Sequence, residues 1–146
     1  MHTSYEITKI TTDQEIQQCW EVVFLLRPHL AQEKWPVMVS EMMRTEKFNI
    51  TGISDECKFV AFVGYRFMTS LHSGHIIYVD DLCTLESYRG KGLASKLLEY
   101  VKALAVSDQL DAVVLDTNFN NHPGQKLYLK HGFHLSALHL TNDLRR

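Results

Sequence analysis

Apolar and polar positions along this chain follow two periods, and the switches between them mark out its elements. Tyr5 to Ile10 alternates polar and apolar residues, the pattern of a half-buried strand. Thr12 and Glu15 have the spacing of a capping box, and Ile16, Cys19, Trp20, Val23 and Phe24 form one apolar stripe. This predicts a helix over about residues 13–26 with Trp20 in the core. Arg27-Pro28-His29-Leu30 ends it, because proline restricts the residue before it and has no N–H to donate. A second helix is expected over about residues 33–46, with Pro36 in its first turn and Trp35, Met38 and Met42 on the buried side. Phe48 to Ile53 and Cys57 to Met68 are rich in strand formers and flank Ser54-Asp55-Glu56, a tight hairpin turn. Leu71-His72-Ser73-Gly74 is the next turn and His75 to Leu85 the next strand, so these three strands form an antiparallel meander.

Leu93, Leu97, Leu98, Val101 and Leu104 then recur at helical spacing, up to Ser107. Ala112-Val113-Val114-Leu115 reads as a strand buried on both faces, parallel to the preceding one because a helix joins them. Asn120-Asn121-His122-Pro123-Gly124 is turn chemistry, Gln125 to His131 a short helix, Phe133 to Leu140 a last strand, and Arg145-Arg146 a loose tail. The resulting order, β-α-α-β-β-β-α-β-α-β, is that of a mixed α/β (α+β) protein. Its 146 residues, 45% of them hydrophobic, suit one domain over residues 1–146 with one core.

Charge narrows the range of partners. Fifteen Lys and Arg against seventeen Asp and Glu give a net charge of −2 without a basic run, which argues against a nucleic-acid partner. Cys19, Cys57 and Cys83 are widely spaced and include no Cys-x-x-Cys, which fits buried, reduced thiols rather than a disulfide framework. No signal-like N-terminus and no window as long as a membrane span is visible, so the expected location is cytoplasmic, with no membrane partner. The oligomeric state stays open, a homodimer included.

The richest stretch is Tyr78 to Leu98: an apolar run, the basic turn Arg89-Gly90-Lys91-Gly92, then a helical stripe. Glycines let the backbone approach a ligand, and a helix opening behind them turns unpaired N–H groups and a positive dipole end outward, which favours a phosphate. Arg89-Gly90-Lys91-Gly92-Leu93-Ala94 resembles the Arg/Gln-x-x-Gly-x-Gly/Ala signature of the GNAT (GCN5-related N-acetyltransferase) superfamily, with Arg89, Gly92 and Ala94 in the fixed places. Asn121-x-x-Gly124-x-x-x-Tyr128-x-x-x-Gly132-Phe133 resembles its second marker, with glycine at Gly124 where alanine is usual. The element order also matches, which implies a mostly antiparallel sheet with helices on both faces.

The resemblance implies acetyl-CoA as co-substrate, and no residue spacing points to a metal. The turn from Arg89 through Gly90, Lys91, Gly92, Leu93, Ala94 and Ser95 would hold the pyrophosphate. Leu82, Cys83 and Thr84 would line the pantetheine arm, Asn121 would bond it, and Tyr128 would protonate the departing thiolate. Asp80 and Asp81 are adjacent acids in an apolar strand, where an unpaired buried carboxylate is costly, so at least one should face a cleft; one of them, or an ordered water beside them, would act as the base. Simple alternation would send them to opposite faces; a family β-bulge here would alter that count. His72-x-x-His75 and His131-x-x-His134 lack the accompanying ligands of a zinc site.

The expected activity is transfer of an acetyl group to a primary amine, a small molecule in preference to a protein or peptide amine. A non-catalytic acyl-CoA sensor on the same fold would be expected to lack the tyrosine. A dinucleotide-binding oxidoreductase is disfavoured because Ser95 stands where a third fingerprint glycine belongs, and a P-loop because Gly-Lys-Ser/Thr is missing.

Overall fold

Residues Phe59 to Tyr65 are buried without interruption, which a strand achieves only when both faces of its sheet are covered. The computed structural model describes residues 5–145, and contacts within the chain group it into two compact units, with the division in the sequence after Leu115. The first contains β1 (Tyr5–Lys9), α1 (Asp13–Gln18), α2 (Trp20–Leu26), α3 (Trp35–Thr45), β2 (Phe48–Asp55), β3 (Lys58–Ser70), β4 (Gly74–Thr84), α4 (Leu93–Ser107) and β5 (Ala112–Leu115). Its five strands lie in chain order, antiparallel except for β4 and β5, which are parallel. The mixed, mostly antiparallel sheet is therefore the one expected.

The helices cover both faces. On one, the buried Tyr65 hydroxyl lies 3.1 Å from the Thr51 hydroxyl and close to Tyr100 of α4. On the other, Asp81 receives Arg27 from the end of α2. The core joins Ile50, Ile53, Val63 and Ile77 of the sheet to Val22, Val23 and Val39 on one side and Leu93, Leu97 and Val101 on the other.

The helix expected over 13–26 is two helices broken at Cys19. Thr12 and Glu15 do form the capping box. The break follows from Trp35, whose indole N–H donates to the Ile16 carbonyl at 3.1 Å, while the Cys19 N–H takes the same oxygen in a tight turn. A side chain inserted into the ladder in this way interrupts a helix. The buried face runs through Ile16, Cys19, Val22 and Val23, leaving Phe24 exposed and Trp20 only half-buried. In α3, Trp35 and Val39 take the core positions, Met42 is half-buried and Met38 is exposed.

The β2–β3 hairpin closes on Asp55 and Lys58, leaving Glu56 and Cys57 as its two-residue turn with Glu56 at φ 60. Cys57 is consequently exposed, unlike buried Cys19 and half-buried Cys83. All four residues of β5 are half-buried rather than buried on both faces, as befits the last strand in the order.

The second unit contains α5 (His122–Lys130), which starts three residues ahead of the expected Gln125. Asn121 caps it, its side-chain oxygen accepting the Gly124 N–H at 3.1 Å, and Pro123 is tolerated in the first turn. Phe133 to Leu140, expected as a strand, has no regular structure, and Leu135, Leu138 and Leu140 are exposed. Alternation sets up a strand, but only a hydrogen-bonded neighbour makes one, and this segment pairs with none among the described residues.

Candidate active site

The site of interest begins at an irregularity in β4. Gly64 pairs with Asp81 while Tyr65 pairs with Val79, so Asp80 is the extra residue of a β-bulge. The bulge cancels the alternation that would separate the two acids. Asp80 bonds Arg66, whose cross-strand partners are Phe48 and Tyr78, and Asp81 lies against Gly64 beside the Phe48 ring. Both carboxylates therefore occupy one face of the sheet, the face that carries Arg27.

Each acid has its own arginine. The Arg66 Nε donates to Asp80 at 2.9 Å, with both side chains about a fifth exposed. Its guanidinium also lies 5.7 Å from the centre of the Phe48 ring and 3.5 Å from Glu46. Burial pushes the Asp80 carboxyl above its ordinary range, and the Arg66 guanidinium opposes this only in part. Arg27 Nε donates to Asp81 at 2.9 Å, and its Nη2 lies 2.6 Å from the same oxygen and 3.1 Å from the Asp80 carbonyl. Neither acid is thus an unpaired group waiting for a cation.

Beyond the bulge β4 keeps β3 on one side and loses its neighbour on the other. It pairs with β5 only from Ile76 to Val79, so its edge from Asp80 to Thr84 has no strand beside it among the described residues. An unpaired edge offers backbone N–H and C=O groups to an extended ligand. Leu82, Cys83 and Thr84 lie on this edge and are half-buried.

The edge leads through a single 3-10 turn, Glu86–Tyr88, into the glycine turn. Gly90 and Gly92 have φ of 77° and 79°, a left-handed backbone that side chains disfavour, and no atom lies within 4 Å of where a Cβ would stand on either. The backbone at both glycines is open to a ligand. Gly92 is the N-cap of α4 and supplies no side-chain bond, and the first turn of α4 contains no acid. First-turn N–H groups and the dipole end therefore point out beside Lys91, a fit for a phosphate. Arg89 turns back instead, its Nε donating to the Thr84 carbonyl at 3.1 Å. It ties the end of β4 to the turn.

Asn121 and Tyr128 belong to the second unit. The Asn121 oxygen is used in capping α5, and a Cβ on Gly124 would collide with the Asn121 side chain, so the glycine at this position makes room for the cap. Tyr128 is half-buried, packs edge-on against Phe133 with centroids 5.9 Å apart, and burial raises its hydroxyl above the ordinary tyrosine range.

A family model described as Acetyltransferase (GNAT) family matches residues 10–133. This chain belongs to the GNAT acetyltransferase family. It is 39% identical over 62 residues to streptothricin acetyltransferase of Escherichia coli, covering 42% of this chain and 36% of that protein. It is 36% identical over 72 residues to a D-amino-acid N-acetyltransferase of Saccharomyces cerevisiae, covering 49% of this chain and 45% of that protein. These matches span less than half the length of either relative. In fold it resembles aminoglycoside N-acetyltransferase AAC(6')-Iy solved with CoA, with a TM-score of 0.83 at 14% identity over 97% of this chain and 95% of that one.

Of the GNAT residues expected from sequence, Asp80 through Ser95 fall together along one bulged strand, turn and helix start, while Asn121 caps α5 and Tyr128 lies within it. Arg27 and Arg66 were not singled out from sequence. The signal for them was indirect: two acids inside an apolar strand require basic partners, but spacing does not say which. No group of three or more potential metal-ligating residues gathers among the described residues, where His75 bonds Thr69 and His72 bonds Ser73.

Proposed function

We propose that this GNAT protein transfers the acetyl group of acetyl-CoA to a primary amine of a small molecule, the amine attacking the thioester directly while both are bound. The observation that carries this reading is the continuous open track formed by the unpaired edge of β4 and the glycine turn that opens α4. An extended pantetheine arm would bond the edge at Leu82, Cys83 and Thr84. Its pyrophosphate would meet the amides from Gly90 to Ser95, with Lys91 adding charge.

Holding both reactants in line supplies much of the rate. The amine nitrogen forms a bond to the acetyl carbon, the carbon–sulfur bond breaks, one amine proton passes to Asp81 directly or through water, and the thiolate takes a proton from Tyr128. A strand amide near Leu82 or Thr84 would receive the oxyanion. Relatives named for streptothricin and D-amino acids support a small acceptor over a protein one. The free thiols of Cys19, Cys57 and Cys83 accord with a reducing, cytoplasmic setting.

Thiol release from acetyl-CoA, followed across a panel of small primary amines, tests the reading. Turnover with at least one amine, and acetylated amine as product, is expected. Absence of acetyl-CoA binding, or acetylation of lysine-bearing peptides alone, would contradict it.

A further inference from the structure

The pair Arg27–Asp81 differs from its neighbour Arg66–Asp80 in one respect. Arg66 and Asp80 are about equally enclosed, 22% and 21% exposed, whereas Arg27 is 44% exposed and Asp81 only 17%. The acid is fixed on the strand, and the cation reaches it from the residue that caps the end of α2, at the start of the irregular segment that leads to α3. One short hydrogen-bonded turn, from the Leu30 N–H to the Arg27 carbonyl, follows it. The half-exposed guanidinium is the member of the pair that can move into solvent, while the enclosed carboxylate on the strand bears the cost of being left unpaired.

What would separate the pair is constrained by charge. A simple ammonium that took Asp81 would set a second cation beside Arg27, and an anion that took Arg27 would leave a largely enclosed carboxylate unpaired. A ligand with both charges on neighbouring atoms strands neither. Both Arg27 nitrogens converge on one Asp81 oxygen, while the other faces Gly64, so an ammonium that takes the first oxygen displaces the guanidinium.

Resting on the acetyltransferase reading above, we propose that the acceptor is a zwitterionic amino acid that inserts between Arg27 and Asp81. Its ammonium replaces the guanidinium on Asp81, and its carboxylate takes up the released Arg27. Arg27 is then a specificity-determining residue that recognises the acceptor's carboxylate, and the amine to be acetylated is delivered to the group that accepts its proton. The Asp80 carbonyl, which also holds Arg27 at 3.1 Å, gives the guanidinium a fixed point for its return.

The test compares each of the common amino acids with its carboxamide, which keeps the amine and loses the negative charge. Thiol release from acetyl-CoA is followed with the parent, Arg27→Gln and Arg27→Ala, the two variants guarding against a local folding defect. At least one amino acid should be acetylated with kcat/KM tenfold or more above that of its amide. In both variants that advantage should shrink to about twofold or less, the rise in KM being larger for the acid form than for the amide. Equal use of acid and amide by the parent, preference for the amide, an Arg27 effect that is the same on both, or no amino acid turned over at all would each overturn the inference. Calorimetry with acetyl-CoA alone separates the two readings: coenzyme binding with turnover of other amines leaves the acetyltransferase standing, and its absence removes both.

Discussion

At the scale of single residues, the chemistry rests on groups whose state is set by what encloses them. Burial holds the Tyr128 hydroxyl above its ordinary range, so the neutral, proton-donating form persists throughout the physiological range. The sign is plain: a proton donor is lost only as pH rises through its folded-state value, so a fall in kcat from this group is expected above the usual tyrosine range and not below it. Tyr128→Phe should abolish that alkaline limb and lower kcat by roughly 10²–10⁴-fold, with acetyl-CoA affinity changed less than about twofold. An unchanged kcat and an unchanged pH profile would remove Tyr128 from the reaction. The bulge residues show why the site was only partly legible. Asp80 and Asp81 stand out in the sequence as acids within an apolar run, but alternation places them on opposite faces, and only the extra residue at Asp80 brings them to the same one. Their partners, Arg27 and Arg66, lie 54 and 14 residues away in sequence and carry no local mark.

At the scale of elements, the markers with a short-range physical cause were readable. The Thr12–Glu15 capping box, Pro36 at the start of α3, the stripe of α4 and the glycine turn all depend on neighbours within a turn or two. The failures came from distant groups. Trp35 breaks the helix at Cys19 by taking the Ile16 carbonyl, and Phe133 to Leu140 lacks the neighbour that a strand requires. The start of α5 differs for a local reason: Asn120 to Gly124 reads as turn chemistry, but Asn121 acts as a cap and Pro123 fits the first helical turn. That cap and Gly124 should be coupled. Asn121→Ala should cost about 1 kcal/mol in the parent. It should cost far less on a Gly124→Ala background, where the added methyl has already displaced the Asn121 side chain. Denaturant unfolding of the four proteins of this double-mutant cycle measures the coupling. Additive effects would show that the glycine does not make room for the cap.

At the scale of the whole molecule, the fold has an alkaline limit. Cys19 and Tyr65 are buried, and burial raises their folded-state values from 9.0 and 10.0 to about 12. Each raised value means that the fold favours the protonated form. The stability this contributes is complete below the unfolded-state value and is lost as pH rises through the window from 9 to about 12. The melting temperature should therefore hold steady from neutrality to about pH 9 and then fall. In Tyr65→Phe, the part of that fall that begins above pH 10 should be reduced. A fall of the same size in parent and variant would assign the alkaline limit to other groups. The family match across residues 10–133 places both the open β4 edge and α5 within the matched region, so coenzyme binding is the claim on which everything else depends. Gly92 tests it most directly. Its φ of 79° makes any side chain there cost about 1–2 kcal/mol of stability, and the space that the side chain would enter is where the pyrophosphate is expected. Isothermal titration of acetyl-CoA into the parent and into Gly92→Val, with both shown by circular dichroism to be folded, should give clear binding in the first and at least a tenfold loss in the second. Equal affinity in the two proteins, or no binding by the parent, would contradict the account.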